Sequence, residues 1–348
     1  MLEIWFGLAA IMAAAFVVLD GFDFGAGTLH LFVAKGDGER RQVLSAIGPY
    51  WDGNEVCLLA LGGVLFVAFP RVLASGLSGF YFAIFLVLWS LILRGISIEL
   101  RSHIASPLWT AAWDASFAAA STLLPVLFGA ALGNLIRGLP LDGDGWFSLA
   151  LFTDFTARAP VGILDWYTVA AGVFAWVTIA GHGATFLAWK ADGTVAERSH
   201  SAARWLYGAA AILLVPMTVA TGIVNAPMLA ALPGRPLAWL TLTVAIAGLV
   251  AVGTGLRRRR DLLAFLGSCA FIAGMLATTA VCLFPVLLRA LGDDSRSLTV
   301  FNSGAADRSL QIALAWYAVG LPLVVIYFII LFRLHRGRAT GATGREGY

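Results

Sequence analysis

Nine stretches of this chain are each long and apolar enough to cross a bilayer, at about 4–34, 50–73, 76–99, 113–137, 163–189, 203–225, 236–256, 261–288 and 309–334. A membrane helix needs about 20 such residues. A chain of 348 residues that is 60% hydrophobic and 12% charged has more apolar surface than a soluble domain can bury. The expectation is an all-α, polytopic membrane helix bundle of about nine transmembrane helices. It forms a single integral membrane domain over 1–348, with a flexible tail at 336–348. The first run is too long for a signal-peptide core, and no small-residue cleavage site follows it, so it is read as a retained helix. Cys57, Cys269 and Cys282 all sit in apolar stretches without CxxC or Cys/His spacing, so neither disulfides nor metal thiolates are expected.

An odd helix number puts the termini on opposite sides. One side then carries 16 Lys and Arg, in the 34–49, 94–112, 190–204 and 257–260 stretches and the tail. The other carries seven: Arg71, Arg137, Arg158, Arg235, Arg289, Arg296 and Arg308. The positive-inside rule places the N-terminus outside and the C-terminus in the cytoplasm. Arg257 to Arg260 fit an inside loop or a lipid-headgroup contact, and so short a basic loop does not point to nucleic acid. Lys35 to Gln42 reads as a charged, solvated loop, and the acidic 138–162 and 289–308 loops as external surface caps.

Asp20 and Asp23 are the only acids of the 4–34 run and share one helix face. Gly21 and Gly25 beside them leave a side-chain-free strip where another helix can approach. On this topology Asp20 lies near mid-membrane and Asp23 nearer the cytoplasm. Pro49 suits a first helical turn, which sets Asp52 and Glu55 at the cytoplasmic start of the second helix, close in depth to Asp23. Buried carboxyls need partners or protons. Asp20 and Asp23 are therefore either a structural pair bonded to neighbouring helices or to an Arg, or members of a proton relay. Asp52 and Glu55 are either helix-dipole partners or part of the same relay, and Trp51 is an interface anchor. At the end of the third helix, Arg94 pairs with Glu99 or a neighbouring acid while Arg101 meets headgroups; in the alternative, Glu99 feeds protons toward Asp52 and Asp23. His30 and His103 read as interface residues. His182 is an intramembrane His with no second His or Met placed to complete a haem site. No phosphate loop, Ser/His/Asp grouping, HExxH or paired metal motif is present, so no active site is legible on this chain alone.

The segments Asp20-Gly21-Phe22-Asp23-Phe24-Gly25-Ala26-Gly27 and Pro49-Tyr50-Trp51-Asp52-Gly53-Asn54-Glu55-Val56 resemble subunit II of the cytochrome bd-type quinol oxidases, including the cyanide-insensitive branch. Ser78-Gly79-Phe80-Tyr81, Arg94 with Glu99 and Arg101, Trp113-Asp114, Gly133-Asn134 with Gly138, Gly183-Ala184, Phe284-Pro285 and Leu298-Thr299 with Asn302 match in the same order along most of the chain. The resemblance implies one half of a respiratory quinol:oxygen oxidoreductase of the proton-translocating class, in the bacterial inner membrane. Its partner would be a nine-helix subunit I that carries haems b and d and the quinol-oxidising loop. It implies that Asp23 and Asp52, with Asp20 of the same motif and Glu55, line a proton path from the cytoplasm, supported by Trp51 and Asn54. A small single-helix subunit and a bound quinone are further expectations the resemblance allows. Cys57 departs from the family pattern, which commonly has Trp there, near a proposed O2 access route. The rival from the residues alone is a proton-coupled secondary transporter, against which stands the absence of a symmetric second pair of acids; a purely structural anchor is the other.

Overall fold

The computed structural model describes residues 1–156 and 160–339. Nine helices among the described residues have spanning length and hydropathy. They are α1 (Leu2–Val33), α3 (Trp51–Ala68), α5 (Tyr81–Leu100), α6 (Pro107–Arg137), α7 (Trp166–Lys190), α8 (Gly193–Val224), α10 (Pro236–Arg257), α11 (Asp261–Leu283) and α13 (Asp307–Leu334). Four short helices join them: α2 (Asp37–Ile47), α4 (Pro70–Gly79), α9 (Ala226–Ala230) and α12 (Val300–Ser303). A two-stranded antiparallel hairpin, β1 (Val286–Leu288) with β2 (Leu298–Thr299), closes the end opposite α2. Leu139, Leu141 and Phe147 pack with Leu288 and Leu298 of that hairpin and cap the bundle, and Ile163 and Leu164 bond back to Ala150 and Leu151.

Several boundaries differ from the sequence reading: α6 starts at Pro107 rather than 113, α8 at Gly193 rather than 203, and α11 ends at Leu283 rather than 288. The second apolar run is broken at Phe69, where Pro70 cannot continue the hydrogen-bond ladder and opens α4 instead; the third spanning helix then starts at Tyr81. The stretch expected to be a solvated loop, Lys35 to Gln42, is mostly helix: α2 buries Gln42, Val43, Leu44, Ala46 and Ile47 and turns its charges outward. Glu39 on α2 accepts from Thr194 (2.6 Å), the Lys35 N–H (2.6 Å) and Arg198 (2.7 Å), which ties α2 to the start of α8. Of the tail, residues 336–339 lie against this end: the Ala339 N–H donates to the Lys190 carbonyl and Gln42 donates to the Ala339 carbonyl. Residues 340–348, like Arg158 of the opposite loop, are outside the described residues.

Helix α1 is the axis of the bundle, packing on α3, α6, α7 and α11. Its contact with α7 is backbone on backbone. A Cβ added at Gly25 would lie 2.1 Å from the Ile179 carbonyl oxygen, and one at Gly183 would lie 2.2 Å from the Gly25 carbonyl carbon. The side-chain-free strip expected on α1 is therefore met by a glycine of α7.

Gly183→Ala is expected to force the two helices apart and cost about 1–3 kcal/mol. Gly208→Ala, where a Cβ meets nothing within 4 Å, should leave the melting temperature in detergent unchanged or slightly higher. The Glu39 carboxyl is held down, from the ordinary 4.5 to about 2, first by the Thr194 hydroxyl, then by the Lys35 N–H and Arg198. A depressed folded-state value means this tie is complete above about pH 4.5 and is lost as pH falls toward 2. Protection of the α2 amides, taken relative to their intrinsic exchange rate at each pH, should fall as pH drops across that window, and Glu39→Gln should flatten the dependence.

Candidate functional site

At the centre of the α1–α3–α5 contact lies a guanidinium between carboxyls. Arg94 is fully buried; its Nη1 donates to Asp20 Oδ1 at 2.9 Å and its Nη2 donates to Glu55. Its guanidinium carbon sits 4.7 Å from the centre of the Phe24 ring and 6.0 Å from that of Trp51, so aromatic faces cover what the acids do not. Asp23, one helical turn below Asp20, accepts from the Asn54 amide at 2.7 Å, and the same amide donates to the Leu19 carbonyl at 3.0 Å. Asp20 Oδ2, Asp23 Oδ1 and Asn54 Oδ1 are buried and have no hydrogen-bond partner among the described residues.

Of the motif residues Asp20, Asp23, Asn54 and Glu55 meet here and Asp52 does not; of the acids open to Arg94 in the sequence reading, it pairs with Asp20 and Glu55. Both bonds named by the structural alternative are present: Asp20 is ion-paired with Arg94, and Asp23 is hydrogen-bonded to Asn54 of the neighbouring α3. Glu99 lies exposed near the end of α5, and its carbonyl accepts from His103. Asp52 is exposed on the first turn of α3, on the outside of the bundle, while the Glu55 side chain is about a quarter exposed. Trp51 is half-buried against Gly95 rather than a free anchor. Cys57 is buried in the main core.

A second charged centre lies where α1, α2, α5 and α6 meet. Asp114 is buried and receives three cationic or imidazole donors: His30 Nε2 at 2.7 Å, Arg101 Nε at 2.6 Å and Arg40 Nη1 at 3.0 Å. Arg101 also donates to Asp37 at 2.8 Å. Two expectations are corrected here. Arg101 is 2% exposed and faces Asp114 and Asp37, not lipid headgroups. His30 is completely buried, not an interface residue. The sequence carried one signal for His30: it stands seven residues after Asp23, on the same stripe of α1.

Two further polar joints hold the bundle. His182 lies 2.6 Å from the Ser268 hydroxyl through Nδ1 and donates from Nε2 to the Val18 carbonyl at 2.9 Å, which links α1, α7 and α11. With both nitrogens engaged, the ring does not fit an iron ligand. At the opposite end, Arg137 pairs with Asp165, the N-cap of α7, and donates to Asn134 Oδ1 at 2.7 Å and to the Gly162 carbonyl at 3.0 Å. Among the described residues no group of three His, Cys, Asp or Glu could hold a metal ion.

These features define a multi-pass membrane protein whose interior holds carboxyls in excess of its guanidinium at one buried centre. Comparison with known proteins gives the family. The model of cytochrome bd terminal oxidase subunit II matches residues 1–335, and the chain belongs to that family. It is 30% identical to subunit 2 of the Escherichia coli cytochrome bd-I ubiquinol oxidase over 97% of this chain and 94% of that one. It is 28% identical to the Bacillus subtilis cytochrome bd ubiquinol oxidase subunit 2, over 93% and 92% of the two chains. A chain of the Geobacillus thermodenitrificans bd oxidase structure shares the fold, with a TM-score of 0.72 at 16% identity over 96% of this chain and 98% of that one. Family membership leaves the transporter alternative without support.

Asp114→Ala would strip three donors of their shared acceptor and leave buried cationic groups uncompensated. It should cost about 3–5 kcal/mol of stability, read as a lower melting temperature of the purified protein in detergent.

Proposed function

We propose that this chain serves as subunit II of a quinol oxidase in the bacterial inner membrane, paired with a haem-bearing subunit I, and that it conducts protons from the cytoplasm toward that partner. The haems b and d of the partner would pass electrons from quinol to O2, which becomes water. This chain supports the partner and supplies protons. The N-terminus lies outside and the α2 end faces the cytoplasm, in keeping with the basic residues gathered there.

The observation that carries the reading is the pair of buried carboxyl oxygens, Asp20 Oδ2 and Asp23 Oδ1, left without partners beside Arg94. A merely structural cluster would satisfy them, because each buried unsatisfied acceptor costs about 1–3 kcal/mol. Three carboxyls, Asp20, Asp23 and Glu55, are gathered around one guanidinium, which pairs with Asp20 and Glu55 while Asp23 receives the Asn54 amide, so full ionisation would leave two uncompensated negative charges in an apolar bundle. Bound protons remove that excess. Glu55, about a quarter exposed, and Asp52 on the next turn of α3 open to the outer face, where a partner subunit would enclose them. Protons thus pass from Asp52, fed by Glu99, through Glu55 to Asp23 and Asp20. Trp51 and Asn54 hold the geometry, Arg94 sets the charge, and Arg101 braces the cytoplasmic end. A bound quinone and a small single-helix subunit complete the assembly in this reading.

Asp23→Asn and Asp52→Asn in the assembled complex should each lower oxygen consumption by about tenfold or more with haem content intact. Unchanged oxygen consumption and charge separation in both would overturn the proton path. Loss of haem from both would assign these acids a structural role.

A further inference from the structure

We propose that His30 is a proton-carrying residue on a second route into the Asp20–Asp23 centre, running along α1 from the α2 end by way of Ser121. The inference rests on the proton-supply reading above and extends it to residues outside the Asp52 segment.

Asp20, Asp23, Gly27 and His30 follow one another at spacings of 3, 4 and 3, which keeps them on one stripe of α1. Asp20, Asp23 and His30 are completely buried. Gly27 has no side chain, and the place a Cβ would take lies 2.1 Å from the Ser121 hydroxyl of α6. That hydroxyl therefore sits on the stripe between His30 and Asp23, which are about 10 Å apart along the helix. Ser121 is itself completely buried, and its Oγ has no hydrogen-bond partner. The same holds for His30 Nδ1 and for Asp23 Oδ1. Three consecutive polar groups on one buried stripe thus each keep a proton-accepting atom uncommitted. Other buried polar atoms are also without a partner among the described residues, including Ser199 Oγ, His200 Nε2, Thr178 Oγ1 and Tyr207 Oη, but these belong to α7 and α8 and not to the α1 stripe that leads to Asp23.

Beyond His30 Nε2 a chain of bonded charged side chains leads to the surface. His30 Nε2 is fixed by Asp114 of α6. Asp114 is held in turn by Arg40 of α2 and by Arg101 after α5, and Arg101 is shared with Asp37, whose side chain is about half exposed. The remaining face of the ring is covered by Phe117, with centroids 5.3 Å apart. Asp114 therefore fixes the Nε2–H tautomer and leaves Nδ1 as the one site for an incoming proton. In the step proposed, a hydronium ion gives a proton to Nδ1: one of its O–H bonds breaks, one N–H bond forms, and neutral water remains. That N–H then breaks as the proton moves through the Ser121 hydroxyl, or a water beside it, to Asp23, and the Nε2–H···Asp114 bond is unchanged throughout. Since Arg101 and Arg40 already compensate Asp114, the imidazolium has no counter-charge of its own and passes its proton on.

The test uses the assembled oxidase with His30→Gln, which keeps a donor for Asp114 but cannot be protonated, and with Ser121→Ala. Haem content, oxygen consumption from acid to alkaline pH, and proton uptake are measured beside Asp23→Asn. Expected are full haem content and, in both variants, a loss of turnover that deepens as pH rises and proton supply becomes limiting. The inference falls if His30→Gln keeps the parent pH profile and rate, or if both variants simply lose haem. If His30→Gln is without effect while Asp23→Asn is slow, only the second route is wrong. If Asp23→Asn is also without effect, the proton-supply reading fails with it.

Discussion

The guanidinium of Arg94, held between Asp20 and Glu55, is the interaction on which the interior depends. A lone charge of either sign would not survive in an apolar bundle; paired, each makes the other tolerable, provided the remaining polar atoms find donors, acceptors or protons. The pairing joins α1, α3 and α5, but its single positive charge offsets only one carboxylate. Asp23, which gets an amide rather than a cation, is left with one oxygen to accommodate. The chemistry of the site follows from that shortfall.

Helix α1 divides its labour by face. Gly21 and Gly25 turn toward α7, and at Gly25 the two backbones touch. Roughly opposite run Asp20, Asp23, Gly27 and His30, met by α3, α5 and α6. The close backbone contact fixes the height and rotation of α1, and so fixes where the carboxyls meet Arg94 and Asn54. His182, bonded to the Val18 carbonyl and Ser268, locks the same helix from the α7 and α11 side. A residue that looked like an isolated ligand is a joint.

Much of this was legible beforehand. The spanning helices, the glycine strip and the nearness of Glu55 to the α1 acids are consequences of periodicity and run length, whereas Asp52, expected close in depth to Asp23, is exposed on the outside of the bundle. The other errors share one cause. Lys35 to Gln42 looked solvated because its charges are plentiful, yet Val43, Leu44 and Ile47 bury one face of α2. Arg101 and His30 looked like boundary residues because they stand near helix ends, yet Asp114 draws both inward from a distant segment. Arg94 had an acid five residues away and chose acids 74 and 39 residues away.

Local sequence determined what each segment is: an apolar run of about 20 residues becomes a helix in lipid because every backbone polar group must be bonded within the segment. It also determined that carboxyls inside such runs require something. Only the tertiary structure decided what they received, because a buried charge is matched by whichever partner packing brings within 3 Å, and packing here is set by contacts between segments far apart in the chain. The guanidinium went to Asp20 and Glu55, the amide to Asp23, and three donors to Asp114.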